Sequence, residues 1–442
     1  MKLKTLVGSM VVLGLVSTGT FAAPATAKAV KNSNTDQAFW NAVINRNQDN
    51  AYFVMPHVGQ VKVTGEVATD LKHTSKGGEN QQAAPNAGYF ANQSKTGFDL
   101  HTAELYLDAG LPSVMLGGNA LNTMVHVGLD YDYDNTKNML DGNSNALTPM
   151  NKTMFFPEAY AMMTYSHLFA KVGRQYVNFG TTMHDAITTP VTEVLSKTNK
   201  VGATLGLMNL AGFYGDVSFY NGAVKGTTAN PKGINDSQNK LHGFAAELGY
   251  AMKTNNMNFN AYVDYISNMA DVTAINYNIA ANKTPRTVQD KVPGVAVHGD
   301  FAMNAGMNSS FTVMADYVTA TKKFNASELA WGTDGAKPQA YSVEGDYTFL
   351  KHHTVTLGFQ GTRQAAGLYD VGNAGDTNAF PMPKTRLLAG YTFALNKYVS
   401  FEAEYTNDKD YGTSDIGRTT ANPYRGSGNT NNTVVGRIRV KF

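Results

Sequence analysis

Asn432-Thr433-Val434-Val435-Gly436-Arg437-Ile438-Arg439-Val440-Lys441-Phe442 alternates strictly from Val434 onward. Val434, Ile438, Val440 and Phe442 share one parity, with Gly436 between them, while Val435, Arg437, Arg439 and Lys441 share the other. Successive side chains of a strand point to opposite faces, so this segment has an apolar face and a cationic face. Soluble proteins seldom end on an exposed Phe. A strand that closes a membrane barrel places that ring at the lipid interface, where aromatic side chains settle. Val440 and Phe442 are therefore read as an assembly signal.

The bulk composition agrees with this strand. The 442 residues carry a formal charge of +2, which excludes a strongly basic nucleic-acid binder. Apolar residues make up 43% of the chain, yet the mean hydropathy is -0.28, so apolar and polar residues are interleaved. Tyr and Phe (23 and 22) and 42 Gly suit a transmembrane β-barrel better than a helical membrane protein. There is no Cys, as suits a compartment where stray thiols oxidise.

At the amino end, Lys2 and Lys4 precede an apolar run from Leu6 to Val16, and small residues follow at Thr20-Phe21-Ala22 and Ala25-Thr26-Ala27. This pattern predicts a secretory signal peptide over residues 1–27, cleaved near 22–27, because the run is shorter than the ~20 residues a spanning helix needs. Residues 28–57 are expected to form a short periplasmic segment with one helix over Asp36–Asn47, where Phe39, Trp40, Val43 and Ile44 share a face. About thirty residues leave no room for a plug domain ahead of the barrel, which is placed at 58–442.

Period-two alternation predicts strands at Gln60–Leu71, Gly97–Leu107, Thr123–Asp134, Phe155–Tyr165, Phe169–Phe179, Lys200–Met208, Gly212–Asn221 and Gly243–Met252. The second half continues with Met257–Ser267, Gly294–Met303, Ser310–Val318, Ala340–Leu350, His353–Thr362, Thr385–Leu395, Val399–Thr406 and the closing strand. Long polar connections alternate with brief links such as Ser166–Leu168 and Lys351–His352; the Asp108–Asn122 link is longer than the rest. Eight long and seven short connections join sixteen strands. The fold class is therefore all-β: a transmembrane antiparallel up-and-down barrel of about sixteen strands, with short periplasmic turns and long external loops. A sheet in lipid must pair every backbone group, which requires closure. A soluble sandwich or propeller is the competing architecture, but its strands would more often be five or six residues long.

Parity places charges of both signs inside. The candidate pore-lining residues are Asp130, Asp132, Lys171, Arg174, Asp316, Glu344, Asp346, Arg386, Glu402, Glu404, Arg437 and Arg439. On the lipid face such charges cost ~2–4 kcal/mol near the midplane. They read either as salt bridges that stiffen the barrel or as a field that selects charged solutes. Lys171 and Arg174 have opposite parity, so a regular strand cannot point both inward. The third long loop carries His184, Asp185 and Glu193, which are constriction candidates if it folds inward, and Thr189 before Pro190 is a candidate cap of a short helix. Pairing of the last strand with the first is expected to bring Arg437 and Arg439 near Lys62 and Glu66.

Motifs of other chemistries are weaker. Asp130, Asp132, Asp134, Asn135 and Asp141 imitate a calcium-loop spacing, but Asn135 stands where the turn requires Gly. His126 lies beside this stripe, and His73-Thr74-Ser75 imitates a His–Ser pair without an orienting residue. No cofactor, metal site or enzymatic activity is expected.

Val172-Gly173-Arg174-Gln175-Tyr176-Val177-Asn178-Phe179-Gly180 looks like the Gly-Arg-Gln…Phe-Gly signature of outer-membrane porins. With Phe156-Pro157-Glu158-Ala159-Tyr160, Phe219-Tyr220-Asn221-Gly222 and Val440-Lys441-Phe442, most of Val58–Phe442 resembles the LbtU-type siderophore porin family. The resemblance implies a sixteen-stranded outer-membrane barrel that takes up a ferric siderophore without an energy-coupling plug. One departure is that Asp36–Asn47 offers a single short helix where such proteins carry a coiled-coil extension. The expected partners are outer-membrane lipids, the barrel-assembly machinery and a small-molecule solute, with a ferric siderophore as candidate and no nucleic acid. Monomer and trimer both fit. The expected location is the outer membrane of a Gram-negative bacterium. A general or anion-preferring diffusion porin and a barrel lipase or protease are the alternatives.

Overall fold

The burial of the closing strand is inverted relative to a soluble sheet. Val434 and Ile438 are 50% and 52% exposed, whereas Val435 and Arg437 beside them are each 4% exposed. The same inversion runs round the molecule: Val172, Leu205, Leu248, Val263, Leu357 and Leu387 all stand outside. A continuous exposed apolar belt needs hydrocarbon as its solvent. The computed structural model of the chain describes residues 60–75, 95–132, 153–180, 184–222, 241–276, 290–331, 333–366, 368, 382–416 and 428–442. The expected signal peptide, the 28–57 segment with its helix, and Asp134, Asn135 and Asp141 lie outside the described residues.

Sixteen strands close one antiparallel ring. They are β1 Val61–Thr74, β2 Lys95–Leu116, β3 Asn119–Asp132, β4 in two pieces (Thr153–Phe155 and Ala159–Tyr165), β5 Leu168–Tyr176, β6 Asn199–Leu210, β7 Phe213–Asn221 and β8 Leu241–Lys253. The ring continues with β9 Met257–Ile266, β10 Gly294–Gly306, β11 Ser309–Ala320, β12 Gln339–Phe349, β13 His353–Arg363, β14 Thr385–Ala394, β15 Val399–Lys409 and β16 Thr430–Lys441. Each strand pairs with its neighbour in sequence, and β16 returns to β1 with Val67 opposite Val440 and Asp70 opposite Arg437. Closure leaves no sheet edge unpaired. No described helix is long and apolar enough to cross a membrane.

Three local features depart from the sequence expectation. The Asp108–Asn122 link is not a loop: β2 runs for 22 residues and turns into β3 at Gly117-Gly118. Both glycines have positive φ (55° and 87°), as a two-residue hairpin turn between twisted strands requires. β4 breaks at Phe156–Glu158, because Pro157 has no N–H to give the ladder, and both its pieces pair with β3. β5 stops at Tyr176, short of Phe179, as the chain turns off the wall.

The outer face carries aromatic rings at two levels. Phe349, His353 and Phe393 adjoin near the short-turn end, with ring centroids 5.1 Å apart in both pairs, and Tyr341 and Phe359 adjoin nearer the long loops, 5.9 Å apart. On β12 the eight steps from Tyr341 to Phe349 span ~27 Å at ~3.4 Å per residue. On a tilted strand that suits the apolar band of an outer-membrane barrel, ~25 Å tall.

Phe442 exchanges both backbone hydrogen bonds with Gly65 of β1, each 3.0 Å, and its ring covers that glycine on the outer face. A Cβ at position 65 would lie 2.6 Å from both the Phe442 ring and the Glu104 carbonyl oxygen. Gly65→Val is therefore expected to lower the yield of folded, heat-modifiable barrel by a cost of about 1–3 kcal/mol. A gel-shift assay in detergent checks this, and an unchanged folded fraction would refute it.

Candidate functional site

The third long loop leaves the wall between β5 and β6, and its described residues, 177–180 and 184–198, lie across the interior. Its one helical turn, α1 Val191–Val194, packs against β11, β12 and β13. In a closed ring of sixteen, β13 stands diametrically opposite β5. The crossing starts at Gly180, whose positive φ of 74° turns the chain inward while its N–H donates to Asp264 Oδ2 at 2.8 Å.

The far wall receives the loop with acceptors aimed at backbone donors. Glu344 Oε1 accepts from the Asp185 N–H at 2.7 Å. Glu404 accepts twice, from Ile187 N–H at 2.7 Å and Thr188 N–H at 3.1 Å. Gln360 Oε1 accepts from Val191 N–H at 3.2 Å. An N–H at a helix start has no partner within the helix, and the expectation that Thr189 caps this one is corrected. Pro190 occupies the cap position without a side-chain bond, so the barrel wall supplies the acceptor instead.

A hydrogen-bond chain extends this hold. Thr192 Oγ1 meets Ser342 Oγ at 3.0 Å, and the Ser342 hydroxyl donates to Asp316 Oδ2 at 3.1 Å. Asp316 Oδ1 lies 2.6 Å from His298 Nδ1, whose Nε2 faces Asp300 at 3.0 Å, and the ring stacks on Tyr262 at 4.7 Å. Arg386 donates two parallel bonds to Asp408, at 2.7 and 2.8 Å, and a third to the Thr189 carbonyl at 3.1 Å. That is the forked geometry only a guanidinium offers.

His184 closes the loop on itself. Its Nδ1 faces the Ala186 carbonyl at 2.9 Å, so that nitrogen carries a hydrogen, and Nε2 lies 3.3 Å from Glu193, which Lys197 also approaches at 3.4 Å. Burial opposes the charged ring, but the hydrogen bond and charge of Glu193, aided by Glu344, outweigh it and hold the His184 pKa above its ordinary value. A raised folded-state pKa adds stability that is fully present below the ordinary His value and is lost as pH rises through the raised one. Current through the wild type is expected to become noisier as pH rises through that range, and His184→Gln to abolish the dependence. Bilayer recordings at stepped pH check this, and pH-independent noise in the wild type would refute it.

The remaining sequence candidates divide. Lys171 is buried inside, with its ammonium 5.8 and 5.9 Å from the rings of Tyr160 and Phe169. Arg174 is corrected: it pairs with Val201 and Ala159 on the exposed parity, in regular register, and points outward near the long-loop end of β5. Asp130 shares the interior parity, opposite Glu104; Asp132 ends β3, and its side chain lies outside the described ones. Asp346 is 3% exposed and accepts from Thr356 at 2.6 Å. At the closing seam Arg437 forks onto Asp70 at 2.7 and 2.9 Å, and Arg439 reaches Glu66 at 3.1 Å and Glu402 at 3.4 Å. Glu66 is met as expected. Lys62 is not, because the register sets Glu66 opposite Lys441 and leaves Lys62 beyond the end of β16.

Several interior residues were not among the sequence candidates: Asp70, Gln360, His298 and Asp408. Their inward parity was available; their partners were not. His126 likewise sits between Tyr106 and Tyr160, with Asp108 at 2.7 Å and Glu158 at 3.7 Å. Among the described residues no group of His, Asp and Glu is arranged to hold a metal ion. His73 meets Thr96 Oγ1 at 2.7 Å, while Ser75 bonds the backbone of Asn432, so those two form no pair.

No protein-family model matches the chain. Curated relatives are proteins of the UPF0422 group. One from Coxiella burnetii is 25% identical over 293 residues, covering 65% of this chain and 55% of its own length. One from Legionella pneumophila strain Philadelphia 1 is 24% identical over 303 residues, covering 63% and 51%. The chain thus spans about half the length of the curated relatives it matches. Among solved structures, the outer membrane channel DcaP of Acinetobacter baumannii superposes with TM-score 0.51 at 16% identity, over 88% of this chain and 99% of that one. Salmonella typhi OmpF gives 0.51 at 12% identity over 87% and 98%, and an anion-selective porin from Comamonas acidovorans gives 0.50 at 13% over 87% and 99%. The fold is that of an outer-membrane porin.

Proposed function

We propose that the protein is an outer-membrane channel for passive passage of small solutes, and that a ferric siderophore is among them. The observation that carries the channel reading is the third loop, which crosses a charge-lined barrel interior and is bonded to the opposite wall. A loop held in this way narrows a water-filled bore and sets which solutes pass. The siderophore reading rests on the motif resemblance from Phe156 to Gly180. Exported chain, lipid partners and assembly through Val440 and Phe442 belong to the same proposal.

Planar-bilayer recording of the purified protein tests it. Ohmic current that a ferric siderophore blocks, together with iron-dependent uptake of labelled siderophore by cells making the protein, supports the full reading. Current without block leaves a general diffusion porin. No current, with ester or peptide hydrolysis lost on Ser75→Ala, would overturn both.

A further inference from the structure

The interior charges are unevenly matched. Among the described residues Lys171, Arg386 and Arg437 are the buried Lys and Arg side chains, fewer than the buried carboxylates, which include Asp216, Glu247, Asp264, Glu344, Asp346 and Glu404; the buried His126 and His298 each face two further acids. The arginines inside are spent on acids next to them: Arg386 on Asp408, Arg437 on Asp70, and Arg439 on Glu66 and Glu402. Lys441 joins Glu66 at 3.9 Å, and Lys200 faces Asp271 at 3.7 Å. Little cationic charge is left to offset the third loop and the wall it docks on.

At that contact the acids accumulate. The Asp185 side chain is exposed on the loop, directly over β12, to which its own N–H is tied through Glu344. Glu344 and Asp346 are both buried and stand two residues apart on the same inward face of β12. Asp346 is 3% exposed, and while Thr356 donates to Oδ1, its Oδ2 has no hydrogen-bond partner. A buried carboxylate oxygen left without a donor, beneath an exposed acid, sets a negative potential where the loop meets the wall. The cations at this contact are held by other partners: His184 and Lys197 lie against Glu193 on the loop, and Arg386 against Asp408.

We infer that the channel prefers cations, with Asp185 as the exposed selectivity residue and Glu344 and Asp346 as its negative backing. Fields of one sign in a cleft with low-dielectric walls concentrate counter-ions, so small cations and organic solutes of net positive charge pass most readily. A ferric complex that passes is neutral or cationic, not a polyanion. This selectivity rests on the channel reading above.

The test is the reversal potential of the full-length protein in a bilayer under a tenfold KCl gradient. Potassium is expected to permeate severalfold better than chloride. In Asp185→Asn and Asp346→Asn that ratio should fall at least twofold, and in the double Asp185→Lys, Asp346→Asn variant it should approach or cross unity. Asp346 bonds Thr356 of the wall and not the loop backbone, so these variants should still fold and conduct. A wild-type reversal potential of anionic sign, or a ratio near unity, would overturn the inference while leaving the channel intact; absence of any current would instead overturn the channel reading. An unchanged ratio in variants that conduct would refute the residue assignment.

Discussion

Arg437→Ala is expected to destabilise the barrel by roughly 3–5 kcal/mol, the cost of breaking a buried ion pair and stranding its partner. Arg437 and Asp70 are almost wholly shielded, with side-chain exposures of 2% and 9%, and the two bonds between them are parallel and short. They also join the first strand to the last. Losing the arginine leaves a carboxylate beside Glu66 and Glu402, with Arg439 and the more distant Lys441 to offset them. The folded band of a heat-modifiability gel should then disappear at a distinctly lower temperature. Asp70→Asn should be milder, since a neutral amide still accepts from the guanidinium. The double variant Asp70→Leu, Arg437→Met should recover much of the loss, because replacing both partners strands no charge. Equal melting of wild type and Arg437→Ala would show that the seam is held by its backbone ladder alone.

Glu404→Ala should release the third loop. Each hydrogen bond to a charged acceptor is worth about 1.5–3 kcal/mol, and Glu404 accepts two from consecutive loop residues, Ile187 and Thr188. With both gone, Glu344, Gln360, Ser342 and Arg386 still touch the loop, but through single contacts spread over Asp185–Thr192. Single-channel conductance is expected to rise and to flicker between levels, while the melting temperature of the barrel moves little. Glu404→Gln keeps one acceptor oxygen and should fall between the two. A steady, unchanged conductance in Glu404→Ala would mean that Glu344 and Arg386 suffice.

These two expectations draw on different depths of the sequence. The strand that carries Arg437 was legible residue by residue, because period two is local and its inverted burial follows from which solvent lies on each side. The role of Glu404 was not. It reads as one more inward acid, and nothing near it in the chain reveals that its acceptors are taken by amides 217 and 216 positions away. Arg174 shows the reverse problem: it was counted with Lys171 among the inward charges although the two differ in parity, and its register opposite Val201 sets it outside.

By itself, then, the sequence determined a closed antiparallel barrel of about sixteen strands with alternating inward and outward residues. Those properties depend on alternation and on turn length, which a few adjacent residues specify. Only the tertiary structure decided that the third loop crosses the bore, and which interior acids it occupies. Glu344 and Glu404 hold the loop backbone, Asp70 and Asp408 hold arginines, and Asp185 remains exposed. The physical reason is that carboxylates of identical parity differ only in what the far wall places against them. Closing the ring is what brings that wall within hydrogen-bond reach.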